Sequence, residues 1–348
     1  MGEYGDQTPV NIITGFLGSG KTTLLTDLLA APELSDTAVL INEFGAVGLD
    51  HELVANVTEG TLLLDNGCVC CAIRGDLQDA LRDLLSRRQA GAIPYFRRVV
   101  IETSGLADPA PVAYTLLAEP ILQHHFRLGG IITTVDGVNG GGQLQRFPES
   151  VKQVAMADRL IITKMDLAEP ELISELHASL RRLNKSAPIM EAAEGQRHAV
   201  TLLTDDLYDP AGRGREVEQW LAAATTGGGE AALAHDHADH VHSFALTFET
   251  PLDWTAFGIW MTMLLHRHGD SVLRIKGLLN VAGVPTPVLI NGVQHIVHPP
   301  AHLPNWPSAN RQSRIIFIVR KMEQGLIDAS LATFNQLANP SAMPGQAA

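Results

Sequence analysis

Two kinds of apolar spacing divide the chain. Short runs apolar at nearly every position recur at residues 10–14, 38–42, 99–102, 130–135 and 160–163. Between several of them lie segments with helical spacing, at 22–30, 76–87 and 171–183. Strands that are apolar throughout, instead of alternating, are buried on both faces. That pattern predicts a mostly parallel sheet between layers of helices, an α/β domain over residues 1–209.

Beyond Asp209 the pattern stops. Residues 210–242 are rich in Ala, Gly, Thr and acidic side chains and include Gly227-Gly228-Gly229. They read as a linker, with one helix around 216–224 and a His-rich end. A second unit is expected over 243–337. It offers a strand at 244–249, a helix from Asp253, strand-like runs at 271–281, 288–298 and 315–320, and a last helix at 324–337. This predicts a smaller α+β domain, followed by a tail over 338–348 with Pro340 and Pro344. No internal repeat is found.

Composition narrows the class. The 348 residues suit one large domain or two ordinary ones, and 45% hydrophobic residues are enough for a core. With aromatics at 5%, that core must rest on Leu, Ile, Val and Ala. The net charge of −13 argues against a nucleic-acid binder or a protein held on anionic lipid. No basic-then-apolar leader opens the chain, and no run approaches the roughly 18 apolar residues of a membrane span. Only three cysteines occur, too close together for a disulfide framework. A cytoplasmic protein with reduced thiols is expected.

Gly15-Phe16-Leu17-Gly18-Ser19-Gly20-Lys21-Thr22 fits G-x-x-x-x-G-K-[ST] between a strand and a helix, the context this phosphate loop requires. Gly15, Gly18, Ser19 and Gly20 let backbone N–H groups converge on phosphate, and the helix that carries Thr23 opens towards it. Lys21 would reach the β- and γ-phosphates, and the Thr22 hydroxyl would ligate Mg²⁺. The strand 99–102 ends on Glu102, a candidate second Mg²⁺ partner, and Gly105 could bring a bare N–H to the γ-phosphate. Lys21, Thr22 and Glu102 are therefore the expected catalytic set. The strand 160–163 ends in Thr163-Lys164-Met165-Asp166. A carboxylate at Asp166 can accept from guanine N1–H and N2–H₂, whereas adenine leaves it facing an unpaired acceptor. The Lys164 stem can lie across the purine. The loop Ser186-Ala187-Pro188 is a candidate for the guanine O6. GTP is the expected nucleotide.

Cys68-Val69-Cys70-Cys71 lies between the phosphate loop and Glu102. Three reduced thiols this close suit Zn²⁺, Cu⁺ or Co²⁺. Cys70 and Cys71 diverge if the chain is extended, so one ion on all three needs a curled loop. The set is also short of the four protein ligands of a structural zinc site, which suits exchange and delivery. Small buried hydrophobes and a redox switch are the other uses of such cysteines. His235, His237, His240 and His242 could buffer metal weakly or belong to a solvated linker. His266, His268, His295, His298 and His302 read as surface or structural.

With these motifs together, the chain resembles the CobW-type GTPases, metallochaperones related to the urease and hydrogenase nickel-insertion GTPases. The resemblance rests on 15–22, Asn42-Glu43-Phe44-Gly45, Cys68 to Cys71, Glu102-Thr103-Ser104-Gly105 with Asp108-Pro109, and 163–166. Arg274-Ile275-Lys276-Gly277 and the His-rich joint resemble the family's C-terminal domain. It implies a P-loop GTPase that carries Zn²⁺, or alternatively Co²⁺, on the cysteines and passes it to a client metalloenzyme. Asn42 to Gly45 would be a switch segment. A nucleotide- or metal-dependent homodimer is among the expected partners; nucleic acid and membrane are not. The competing classes are a small-molecule kinase, which has no use for the cysteines or T-K-x-D, and a metal-storage or sensing protein with little GTPase activity.

Overall fold

The structure is a computed structural model that describes residues 7–42, 61–63, 69–73, 77–192, 202–203, 217 and 241–338. It divides into two compact units, Met1–Leu180 with Ala187–Asp209, and Arg181–Ser186 with Pro210–Ala348. Of the linker helix expected at 216–224 only Val217 is described, in helical conformation; the tail beyond 338 and the switch residues 43–45 lie outside the described residues.

The first unit follows the apolar runs. Its strands are β1 (Thr8–Gly15), β2 (Thr37–Asn42), β3 (Thr61–Leu63), β4 (Val69–Ile73), β5 (Arg98–Thr103), β6 (Phe126–Asp136), β7 (Arg159–Thr163) and β8 (Ile189–Glu191). They form one sheet in the order β3-β4-β2-β5-β1-β6-β7-β8. Every pair is parallel except β3 with β4. The helices are α1 (Lys21–Leu29), α2 (Leu77–Gln89), α3 (Ala110–Ala118), α4 (Pro120–His125), α5 (Gly140–Arg146), α6 (Pro148–Met156) and α7 (Pro170–Leu183). Strands β5 and β7 are buried at every position, as a sheet covered on both faces requires. Ile13, Leu25, Leu28, Val39, Val100, Ile132 and Ile161 join strands and α1 in one core.

Parallel register does the positioning. Gly15 pairs with Thr134, Ile13 with Glu102, and Asp136 with Thr163. The C-terminal ends of four strands thus meet at one edge, where open α/β sheets bind ligands.

The second unit carries β9 (Val241–Phe248), α8 (Trp254–His268), β10 (Val272–Leu279), β11 (Val288–Val293), β12 (Ile296–Val297), β13 (Ala301–His302), β14 (Ser313–Arg320) and α9 (Gln324–Ala338). Its antiparallel sheet runs β12-β11-β10-β14-β9, with β13 also on β11. The run 288–298, expected as one strand, is a hairpin: Gln294 takes a left-handed turn at φ 51°, and Ile296 folds back on Val293. Helix α8 is capped by Asp253, whose carboxylate accepts from the Ala256 N–H at 2.8 Å. Trp260 donates to Ser330 Oγ at 2.6 Å, tying α8 to α9. Beneath them Phe317 stacks on Phe244 at 5.7 Å and meets the Trp260 ring edge-on at 6.3 Å. Among the described residues, no helix is long and apolar enough to cross a membrane.

Phe317 is fully buried at the centre of this second core. Phe317→Ala should therefore destabilise the unit by about 3–5 kcal/mol. Urea unfolding followed by tryptophan fluorescence reads this as a lower midpoint, and an unchanged midpoint would contradict the packing.

Candidate functional site

The phosphate loop occupies the turn from β1 into α1. Gly20 opens the helix in the left-handed region at φ 85°, where a residue with a Cβ is strained. Ser19 is buried, its hydroxyl 2.7 Å from that of Thr134. Thr103 in turn donates to Thr14 Oγ1 at 2.8 Å. These hydroxyls stitch the ends of β1, β5 and β6 beneath the loop.

Lys21 is buried and folds back over the loop, donating to the carbonyls of Gly15 at 3.0 Å and Phe16 at 3.2 Å. Burial pulls its ammonium below the usual lysine value, and the Glu102 carboxylate opposes that shift. Thr22 donates to Glu102 Oε1 at 2.6 Å. The two residues proposed to share a metal are thus already in contact, a hydroxyl and a carboxylate at the strand end.

Gly105 sits against the loop. A Cβ there would lie 2.7 Å from both the Cα and the N of Leu17, so only glycine allows this approach. Helix α6 holds the segment from behind. Gln153 donates to the carbonyls of Gly105 at 3.2 Å and Ala107 at 3.0 Å, and Lys152 pairs with Asp108. Just ahead of α6, Phe147 stacks on Phe16 at 4.6 Å. Residues 147–153 therefore contact both the phosphate loop and the Gly105 segment.

Thr163 and Lys164 close the other flank. Thr163 donates to the Ser19 carbonyl at 2.8 Å, and Lys164 Nζ donates to the Gly18 carbonyl at 2.6 Å. Lys164 also pairs with Asp136 at 2.7 Å. Burial alone would raise the Asp136 carboxyl; Lys164 and the donors of Asn139 and Val138 outweigh it and hold the group below the usual carboxylate range. Asp166 lies in the exposed turn Met165–Leu167. Thr23 is exposed on α1. Ser186 is buried, its hydroxyl 2.9 Å from Asn184 Oδ1.

The metal residues are less fully placed. Cys68, His235, His237 and His240 lie outside the described residues. Cys70 and Cys71 are adjacent positions of β4, paired with Val39 and Leu40 of β2. The backbone is extended there, not curled, and successive strand positions belong to opposite faces. A single ion on both thiolates therefore needs β4 to depart from regular strand. His242 is exposed in β9, its ring 5.8 Å from that of Phe244. Among the described residues, no group of three or more His, Cys, Asp or Glu could hold a metal ion.

Sequence reasoning missed Asp136 and Gln153. Asp136 ends an apolar strand, the same signal that singled out Glu102, and could have been found by it. Gln153 lies inside a helix with no motif around it.

Residues 9–191 match the family described as the CobW/HypB/UreG nucleotide-binding domain, and 241–335 match the cobalamin synthesis protein cobW C-terminal domain. The chain is 33% identical over 324 residues to the zinc chaperone YjiA of Escherichia coli, covering 93% of this chain and 97% of that protein. It is 29% identical to the zinc-regulated GTPase metalloprotein activator 1 of Saccharomyces cerevisiae, covering 93% and 82%. The crystal structure of Zn(II)-bound YjiA GTPase superposes with a TM-score of 0.69 at 30% identity, over 94% of this chain and 99% of that one.

Gly105→Ala should push the loop at Leu17 out of place and weaken nucleotide binding without unfolding the sheet. Calorimetric titration with a nucleoside triphosphate checks it; unchanged affinity would mean the contact is not maintained.

Proposed function

The chain belongs to the CobW/HypB/UreG family of GTPases, and from that premise we propose that it is a GTP-hydrolysing chaperone that carries Zn²⁺ on Cys68, Cys70 and Cys71 to a client metalloenzyme. Co²⁺ is the alternative cargo. The observation that carries the GTPase part is the closed set of contacts around the phosphate loop: Thr22 on Glu102, Lys164 on Gly18 and Thr163 on Ser19. A cytoplasmic location and a nucleotide- or metal-dependent homodimer belong to the same reading.

The reaction converts GTP and water to GDP and phosphate. Lys21 exchanges its two carbonyl partners for the β- and γ-phosphate oxygens, where its charge is needed. Thr22 and Glu102 offer the hard oxygen donors that Mg²⁺ takes, and they fit it. Bound there, the ion would neutralise charge developing on the phosphates. Gly105 packs against Leu17 of the loop, which supports its N–H as a donor to the γ-phosphate, and Gln153 holds that segment through its carbonyls. Asp166 reads the guanine edge and the Lys164 stem covers its face.

Coupling to metal follows from the register. Ala72, Ile41, Glu102 and Ile13 form one row across β4, β2, β5 and β1. Cys71 is thus one residue from the level of Glu102, and two strand spacings, about 10 Å, separate their strands. Ordering of the loops by GTP and assembly of the thiolate site would act on the same strand ends.

Two measurements check this reading. GTP should raise zinc affinity, and zinc should raise GTP affinity by the same factor, roughly 5- to 150-fold. A zinc competition titration with a chelating dye, run without nucleotide, with GDP and with a non-hydrolysable GTP analogue, decides it. Identical affinities in the three states would sink the delivery mechanism. Cys70→Ser should lose the tight site, and affinity in the parent should fall as pH drops and the thiols protonate. Separately, Asp166→Asn should weaken GTP by about 1–3 kcal/mol and favour xanthine nucleotides, whose C2 carbonyl accepts a hydrogen bond. If ATP competes as well as GTP in the parent, guanine recognition is refuted.

A further inference from the structure

Asp136 is the last residue of β6, and its side chain is 2% exposed. Its two oxygens do different things. Oδ1 accepts from the N–H groups of Val138 at 2.8 Å and Asn139 at 2.9 Å, shaping the turn into α5. Oδ2 accepts from Lys164 Nζ at 2.7 Å, with Asn139 Nδ2 further off at 3.3 Å. The backbone of the turn therefore uses only one oxygen, and the second is shared by the lysine and, at longer range, the Asn139 amide.

Lys164 needs holding. Its backbone is left-handed, φ 54° and ψ 34°, a conformation that non-glycine residues adopt only when their surroundings impose it. Its side chain is partly exposed, yet its ammonium is pinned between Asp136 and the Gly18 carbonyl. Behind it, the Gly137 N–H donates to the Thr163 carbonyl at 2.8 Å, joining the ends of β6 and β7. The carboxylate is buried while the Lys164 side chain is 37% exposed, so the pair is shielded from water on the Asp136 side.

We infer that Asp136 is a positioning residue for base recognition: it fixes the Lys164 ammonium on the phosphate loop and so sets the lysine stem, and Asp166 two residues on, at a defined place relative to the phosphates. The inference rests on the guanine-site reading of Thr163 to Asp166. It makes the distance between base site and phosphate site a property of one buried carboxylate.

The split of roles allows a clean test. Asp136→Asn keeps an oxygen for the two turn N–H groups but turns an amide donor toward the Lys164 ammonium. Calorimetry is run on the full chain with GDP and with inorganic tripolyphosphate, which has no base. GDP should weaken roughly ten- to hundredfold while tripolyphosphate binds as before. Adding Lys164→Gln to Asp136→Asn should bring little further loss, because the two act as one unit. If Asp136→Asn alone does not fold, Asp136→Glu, which keeps the charge but displaces it by one methylene, supplies the comparison of GDP with tripolyphosphate. Unchanged GDP affinity overturns the inference, and so does an equal loss of GDP and tripolyphosphate, which would make Asp136 a scaffold of the loop alone. A parent that binds ADP as tightly as GDP would refute the guanine reading instead, and the comparison with tripolyphosphate would still decide the role of Asp136.

Discussion

A loop that aims its N–H groups at a phosphate must satisfy its carbonyls elsewhere. This constraint organises the first unit. Thr134 donates to the Thr14 carbonyl at 3.3 Å, and Lys21 takes those of Gly15 and Phe16. The Ser19 N–H also reaches Phe16 O at 3.1 Å. Lys164 takes Gly18, Thr163 takes Ser19, and the Leu24 N–H closes the first helical bond on Gly20 at 2.9 Å. Backbone acceptors left unpaired at the buried positions of this turn, Gly15, Phe16 and Ser19, would destabilise it. The partners come from β6, β7 and α1, so the loop holds its shape only when those elements are in register. Thr163 and Lys164 thus bond to the phosphate loop from the strand end that precedes Asp166.

Much of this was legible in the sequence, because the signals were local. Apolar runs marked the strands that lead to the site, and the phosphate loop, Glu102 and T-K-x-D each stand at a strand end. What was missed depends on tertiary contacts. Helix α5 begins with Gly140-Gly141-Gly142 and is not among the expected helices; a Cβ on Gly140 would come within 2.8 Å of Val135, so close packing selects glycine there against helix propensity. Strand β4 reads as a thiol cluster, since Val69-Cys70-Cys71-Ala72-Ile73 is short and its cysteines draw attention to chemistry, although cysteine also behaves as a small hydrophobe. Gln153 carries no sequence signal: what it does is set by two carbonyls more than forty residues away in the chain.

The two lysines of the site show how similar charges are put to different uses. Each has a carboxylate beside it, Glu102 for Lys21 and Asp136 for Lys164. Lys21 is buried, has its ammonium disfavoured by that burial, and is satisfied only by neutral carbonyls. A phosphate would offer it a better partner than those carbonyls. Lys164 already has a direct ion pair, and its carboxylate is held ionised by several donors. It gains little by moving. One cation is therefore held only by neutral carbonyls, and the other ties the end of β7 to the loop through its ion pair with Asp136. In an acidic chain, both positive charges are kept at the one edge where a polyanion has to bind.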